Sequence, residues 1–334
     1  MSETLSWIDY PKLREIPSRQ SPFSVSDVVD LLEIWCVSSI DKKISTSQLI
    51  NFFDDDLAIV ENEQDYGTDI PKRIRKEEFF TFVHQRLKYR RDKWGQKWPF
   101  SIITSQGNIN ITYKPSYFST TYLVFLFCSN LHIIKKTDSH FFTSAFENLA
   151  FKHFSSIHPY KNGWITKSMG ANNSSVHSYI GSTQREKLEA LARDLNCGLG
   201  QFYRSTSSGD GGIDLVSFLS WGDLRPSSSI AFGQCACTNS KRTILDKISE
   251  TSWDSIRDKL DINSMPLNYL YSPLDLRSEV RPSGFELDGT RNAVIIDRTR
   301  FLLRNFDCSD TVNSKLKSYI YRFIQLEENY YEAI

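Results

Sequence analysis

The chain has 334 residues, 40% of them apolar and 13% aromatic, which is enough to bury a real core and excludes wholesale disorder. Lys plus Arg and Asp plus Glu stand at 40 each, so net charge supplies no attraction for nucleic acid, and any such attraction must come from local patches. The cysteines (Cys36, Cys128, Cys197, Cys235, Cys237 and Cys308) show no disulfide-framework spacing, Met1 to Tyr10 carry acids and no apolar signal core, and the strongest apolar run, Tyr122 to Cys128, is far too short to span a bilayer. The expectation is a reduced, cytoplasmic protein with no membrane association.

In chain order, Ser24, Ser26 or Asp27 caps a helical pattern that runs through Trp35, and a second short helix covers Thr46 to Phe53. An acidic block follows (Asp54, Asp55, Asp56, Glu61, Glu63, Asp65, Asp69). Between Pro71 and Lys97 the sign reverses: basic residues dominate a helix whose apolar stripe is Phe79, Phe80, Phe82, Val83 and Leu87. Arg86, Arg90, Arg91 and Lys93 on it can contact phosphates, with Tyr89, Trp94 and Trp98 as aromatic platforms. The plainer reading is a solvated helix face that pairs with the preceding acids. Ile102 to Tyr113 reads as a hairpin turning at Gln106-Gly107, and Tyr117 to His132 as a core helix. Residues 1–135 thus form a mostly helical module, and 136–334 a second domain.

That second domain opens with a helix, Asp138 to Phe154, followed by a polar, glycine-containing stretch from Pro159 to Ser182 and a helix from Thr183 to Leu195. Strands are expected at Ile213 to Leu219 and Ile230 to Cys237, helices at Arg242 to Glu250 and Ser252 to Leu260, a late strand at Asn292 to Asp297, and a closing helix from Asn313 to Tyr331. Helix, strand, strand, helix, strand is an α/β (α+β) order with a mixed central sheet flanked by helices.

The chemistry concentrates in Gly209-Asp-Gly-Gly-Ile-Asp214-Leu-Val216 and Ile230-Ala-Phe-Gly-Gln234-Cys-Ala-Cys237. Alternation puts Asp214 on one face with Val216 and Phe218, and Gln234 with Ile230 and Phe232. Both strands are apolar on both sides, as a covered sheet requires. A carboxylate and an amide in such strands are costly unless something uses them. A magnesium ion is one such user, since it needs only one or two protein carboxylates, with water and phosphate completing its shell. Asp210, among glycines, reads as a turn residue. Cys235 and Cys237 read as core thiols, because a zinc site lacks its other ligands.

This pattern resembles the Mrr-like branch of the PD-(D/E)XK restriction-endonuclease-like superfamily: a glycine-rich turn, an Asp opening one strand, and Gln-x-Lys or Glu-x-Lys on the next. The resemblance implies a metal-dependent nuclease that hydrolyses DNA phosphodiester bonds with Mg2+ or Mn2+, in antiviral defence or restriction. It implies Asp214 as metal ligand, Gln234 as a second ligand beside the backbone carbonyl of Cys235, and an acid on the preceding helix. Phe146-Glu147-Asn148-Leu149 resembles the family's Phe-Glu-x-Leu there. Glu186 and Glu189 are rivals on an ordinary charged helix. The sequence departs from the pattern at Ala236, where the family carries the lysine that orients or deprotonates the attacking water. Either Lys241 or Lys247 reaches the same space from the next helix, or the fold serves as a catalytically inactive DNA-binding or protein-interaction subunit. A partner subunit of a defence system and homo-oligomerisation are both open.

Overall fold

The computed structural model describes residues 25–48, 72–105, 108–169, 177–200, 212–223, 225, 229–238, 241–277, 293–304, 312 and 314–324. The chain divides into two compact units: Met1–Phe142 with Arg277–Phe285 and Val312–Ile334, and Thr143–Leu276 with Glu286–Thr311. The break therefore falls after Phe142 rather than at 135, and the closing helix belongs to the first unit, not the second.

The first unit starts with helix α1 (Val25–Ser38), buried over most of its surface, and strand β1 (Lys43–Ser45). Helix α2 (Lys72–Trp94) packs against α1 and leads into strands β2 (Phe100–Ser105) and β3 (Asn108–Tyr113). The hairpin anticipated at 102–113 is present, and β1, which was not anticipated, pairs with its second strand to give an antiparallel sheet in the order β1-β3-β2. Helix α3 (Ser119–Cys128) is a core helix with nearly every side chain buried. The acidic block, and most of the expected helix from Thr46 to Phe53, lie outside the described residues.

The second unit contains most of helix α4 (Ser139–Ile157), strand β4 (Trp164–Ser168), helix α5 (Gln184–Asp194), the short strand β5 (Gly198–Leu199), strands β6 (Leu215–Leu219) and β7 (Ile230–Cys235), helices α6 (Lys241–Glu250) and α7 (Trp253–Lys259), the short strand β8 (Leu260–Asp261), strands β9 (Leu267–Tyr271) and β10 (Val294–Ile296), and helix α8 (Arg298–Leu303). Helix α9 (Ser314–Ile324) returns to the first unit, where the Phe323 ring stands edge-on to Phe127 at 5.0 Å. Its buried residues, Leu316, Ile320 and Phe323, form an amphipathic stripe that needs an apolar partner, which accounts for its leaving the second unit.

A five-stranded mixed sheet, β10-β9-β7-β6-β4, organises the second unit. β6 runs antiparallel to both neighbours, whereas β7, β9 and β10 run parallel. One face of the sheet presents Val216, Phe218, Ile230 and Phe232 to Leu188 and Leu191 of α5 and Ile256 of α7. Towards β9, Leu270 packs with Ala236 and with Ile244 and Ile248 of α6. Tyr269 and Tyr271 alternate with Leu270 and meet α4 instead: the Tyr271 hydroxyl lies 3.0 Å from His153 Nδ1, and the Phe154 ring lies 5.5 Å from that of Tyr269. With helices on both sides, the central strands are apolar on both faces, as the sequence indicates.

Candidate active site

Asp214 stands immediately before β6. Its N–H donates to the Gly233 carbonyl at 3.1 Å, and its carboxylate Oδ2 accepts from the Cys235 N–H at 2.7 Å. The acid thus straddles Gln234 on the neighbouring strand. Its main-chain carbonyl accepts from Met169 N–H beyond β4, so it is held from both sides. This charge-assisted bond from a backbone N–H fixes the carboxylate.

Gln234 is 1% exposed. Its Nε2 donates to Glu250 Oε2 at 3.0 Å, and the same oxygen accepts from Lys247 Nζ at 3.2 Å. Turning the amide over would set Oε1 against the Glu250 carboxylate, oxygen facing oxygen, so the network itself assigns the amide orientation. Among the described residues, Gln234 Oε1 is buried without a hydrogen-bond donor. An orphaned buried acceptor of this kind costs roughly 1–3 kcal/mol unless a ligand meets it.

Two further features shape the cluster. Gly212 has φ +73, and a Cβ added there would lie 2.9 Å from Glu250 Cβ and Oε2 and 3.3 Å from Gln234 Nε2. Gly212 therefore lays bare backbone against this cluster, where a Cβ would collide. Ala236, at the position of the family's lysine, is buried against Ile244 and Ile248 of α6. The same helix carries Lys247 and Glu250, an i,i+3 pair whose side chains are 32% and 39% exposed. Because α6 is packed down on Ala236, that position has no room for a long side chain, while Lys247 projects from the covering helix.

The other anticipated residues are less gathered. Glu147 sits half-buried on α4, between the buried Phe146 and the buried Leu149 and Ala150. No group of three or more His, Cys, Asp or Glu side chains that could hold a metal ion occurs among the described residues, so Glu147 does not join Asp214 in such a group. Lys241 opens α6, but its side chain lies outside the described set, as does Asp210. Cys235 and Cys237 are only partly buried rather than core thiols. Glu186 closes a capping box with Thr183, and Glu189 pairs with Arg185, as expected of a charged surface helix.

The phosphate-contacting role read for α2 needs correction. Arg90 is fully buried, bound to Asp30 at 2.8 Å and to Glu33 at 2.7 Å. Glu33 also accepts from Trp98 Nε1 and the Tyr122 hydroxyl. Arg86 is 5% exposed and donates to Ser26 Oγ and the Arg277 carbonyl. Trp94 and Trp98 are core residues, each 3% exposed, so neither is a platform for bases. Arg90 thus serves the two acids of α1, because buried carboxylates demand partners. Arg91 and Lys93 are exposed, with Arg91 paired to its neighbour Asp92.

Glu250 is the residue that sequence reasoning missed. At the end of a helix, three residues after a lysine, it has the spacing of an ordinary surface pair. Only the tertiary contact with Gln234 marks it out.

No protein-family model matches the chain, and no curated protein and no solved structure is significantly similar to it. No helix among the described residues is long and apolar enough to cross a membrane.

Proposed function

We propose that the chain is a metal-dependent nuclease of restriction-endonuclease-like fold that hydrolyses DNA phosphodiester bonds at the Asp214–Gln234–Lys247 cluster. The observation that carries this reading is a buried amide with an orphaned oxygen, Gln234, which shares the Glu250 carboxylate with Lys247 of the next helix, on the strand beside the one that Asp214 opens. The mixed sheet supports it: a strand running against all its neighbours follows Asp214, and the strand carrying Gln234 lies beside it.

The donor set suits a hard divalent cation such as Mg2+ or Mn2+, which binds oxygen and takes few protein ligands. Asp214 and Gln234 Oε1 would hold it, with Glu147 and the Cys235 carbonyl as the further donors the resemblance implies. Such an ion lowers the pKa of a bound water and neutralises charge that builds on the phosphate. The chain's own groups do the rest. The Cys235 N–H fixes the Asp214 carboxylate. Gly212 keeps the entrance free of side chains. Lys247 presents an ammonium that can donate to a phosphate oxygen or orient the attacking water, the role of the family's lysine.

A second reading is favoured by one observation: Lys247 is paired to Glu250. On that reading the fold binds DNA or a partner subunit without cutting. Incubation with plasmid and linear DNA in Mg2+ or Mn2+ separates the two. Metal-dependent cleavage that falls by roughly 1000-fold in Asp214→Ala is expected of the nuclease. Binding without cleavage under every metal condition would leave the second reading.

A further inference from the structure

We infer that Glu250 is a positioning residue of this site, fixing through one carboxylate oxygen both the Gln234 amide and the Lys247 ammonium. The inference rests on the nuclease reading and adds a residue to it. Glu250 Oε2 lies 3.0 Å from Gln234 Nε2 and 3.2 Å from Lys247 Nζ. A carboxylate accepts only, so the amide must turn its NH2 group toward Glu250 and its oxygen away. That is the orientation in which Oε1 is left as a ligand oxygen. With the carboxylate removed, nothing opposes the reverse orientation, and the Lys247 ammonium itself becomes a donor that Oε1 can capture.

Glu250 is well placed to impose this order. Its backbone carbonyl accepts from Ser255 Oγ at 2.8 Å and from Lys259 Nζ at 3.0 Å, which ties the end of α6 to α7. Directly after it, the Thr251 carbonyl accepts from Asn268 Nδ2 of β9 at 2.7 Å. On its open side, the Gly212 backbone approaches so closely that a Cβ would collide with it. The main chain from which the carboxylate springs is thus fixed by α7 and β9, with the Gly212 backbone close against its Cβ. Residues that orient a ligand side chain without touching the metal typically change metal affinity by roughly 10–100-fold when removed.

Bulk and hydrogen bonding can be separated. Glu250→Leu keeps the volume and removes the acceptor, whereas Glu250→Gln keeps an acceptor oxygen for both donors. The full chain is titrated with Mn2+ calorimetrically, and DNA cleavage is followed for kcat and KM. In Glu250→Leu, Mn2+ affinity and kcat should each fall by roughly 10–100-fold, with KM for DNA within about threefold. Glu250→Gln should stay within about fivefold of wild type on both measures, if positioning is by hydrogen bonds. Where leucine unfolds the chain, Glu250→Ser, too short to reach either donor, takes its place. Wild-type Mn2+ binding in the leucine or serine variant, or equal impairment of the glutamine and leucine variants, overturns the positioning role and leaves the nuclease reading standing. Wild type that binds no Mn2+, or binds it no better than Asp214→Ala, overturns the nuclease reading itself and this inference with it.

Discussion

Helices α2 and α6 each pair a basic residue with acid, Arg90 with two carboxylates far away in the sequence and Lys247 with one three residues on, and the two resolve in opposite ways. Arg90 on α2 is completely enclosed: two carboxylates of α1 meet its guanidinium, and a tyrosine and a tryptophan take up the remaining lone pairs of Glu33. Lys247 on α6 shares a carboxylate with a buried amide, and both members of its ion pair stay about a third exposed. The first arrangement is closed to solvent and ties α2 to α1 within the first unit. The second is open, and among the described residues it leaves one buried oxygen without a donor. A basic residue on an amphipathic helix therefore says little about function. What distinguishes a structural network from a reactive one is whether its charges are matched and its acceptors filled.

Breaking the closed network gives the largest expected effect. Arg90→Met leaves Asp30 and Glu33 buried without their cation, and removal of one partner from a buried ion pair typically costs about 3–5 kcal/mol. A denaturation midpoint measured on the first unit's unfolding should drop accordingly. A variant as stable as wild type would show that the two acids find other partners.

Asp297 extends the contrast, because it is a buried acid without such a cation. It caps α8, accepting from the Arg300 N–H at 2.8 Å, and its other oxygen is buried without a donor among the described residues. Burial, aided by Asp275, outweighs the Arg300 and Leu276 N–H groups and the Arg300 charge, and pushes its carboxyl up to about 7. The native state then keeps a proton that the unfolded state has released, so stability falls as pH rises from about 4 to 7 and stays reduced above that. Asp297→Asn retains a good cap and removes the penalty. Each tenfold change in proton affinity is worth about 1.4 kcal/mol. At pH 8 the asparagine variant should therefore be more stable than wild type by a few kcal/mol, and at pH 4 nearly equal to it. Equal stabilities at both pH values would contradict the buried protonation. His153, pushed down to about 4 by burial, has the opposite sign: its stabilising contribution is complete above about 6.5 and is lost as pH falls towards 4.

The strands that carry Asp214 and Gln234 were legible because a short apolar run bounded by a glycine turn has few other destinations. The helices around them were marked by their caps: Thr183 with Glu186, and Ser252, accept bonds from the first turns of α5 and α7. β4 and β9 were not anticipated. Trp164–Ser168 is a half-buried edge strand enclosed by turn residues, and its pairing with β6 is set by tertiary structure. Leu267–Tyr271 lies between two prolines and alternates between α4 and α6, but Asn268 interrupts its apolar pattern. In the candidate site, Asp214 and Gln234 could be named from sequence and Lys247 only as one of two lysines, whereas Glu250 could not, because its contact lies sixteen residues back along the chain. Arg86 and Arg90 misled for the same reason: their partners lie far along the chain, with the Arg90 acids on α1 nearly sixty residues away.

Whether α6 supplies the missing motif lysine is decided by single-turnover DNA cleavage with Lys247→Met beside Lys241→Met. The expected outcome is a loss of roughly 100-fold or more for Lys247→Met, with Asp214-dependent Mn2+ binding retained, and little change for Lys241→Met. Cleavage by Lys247→Met at the wild-type rate would contradict the replacement.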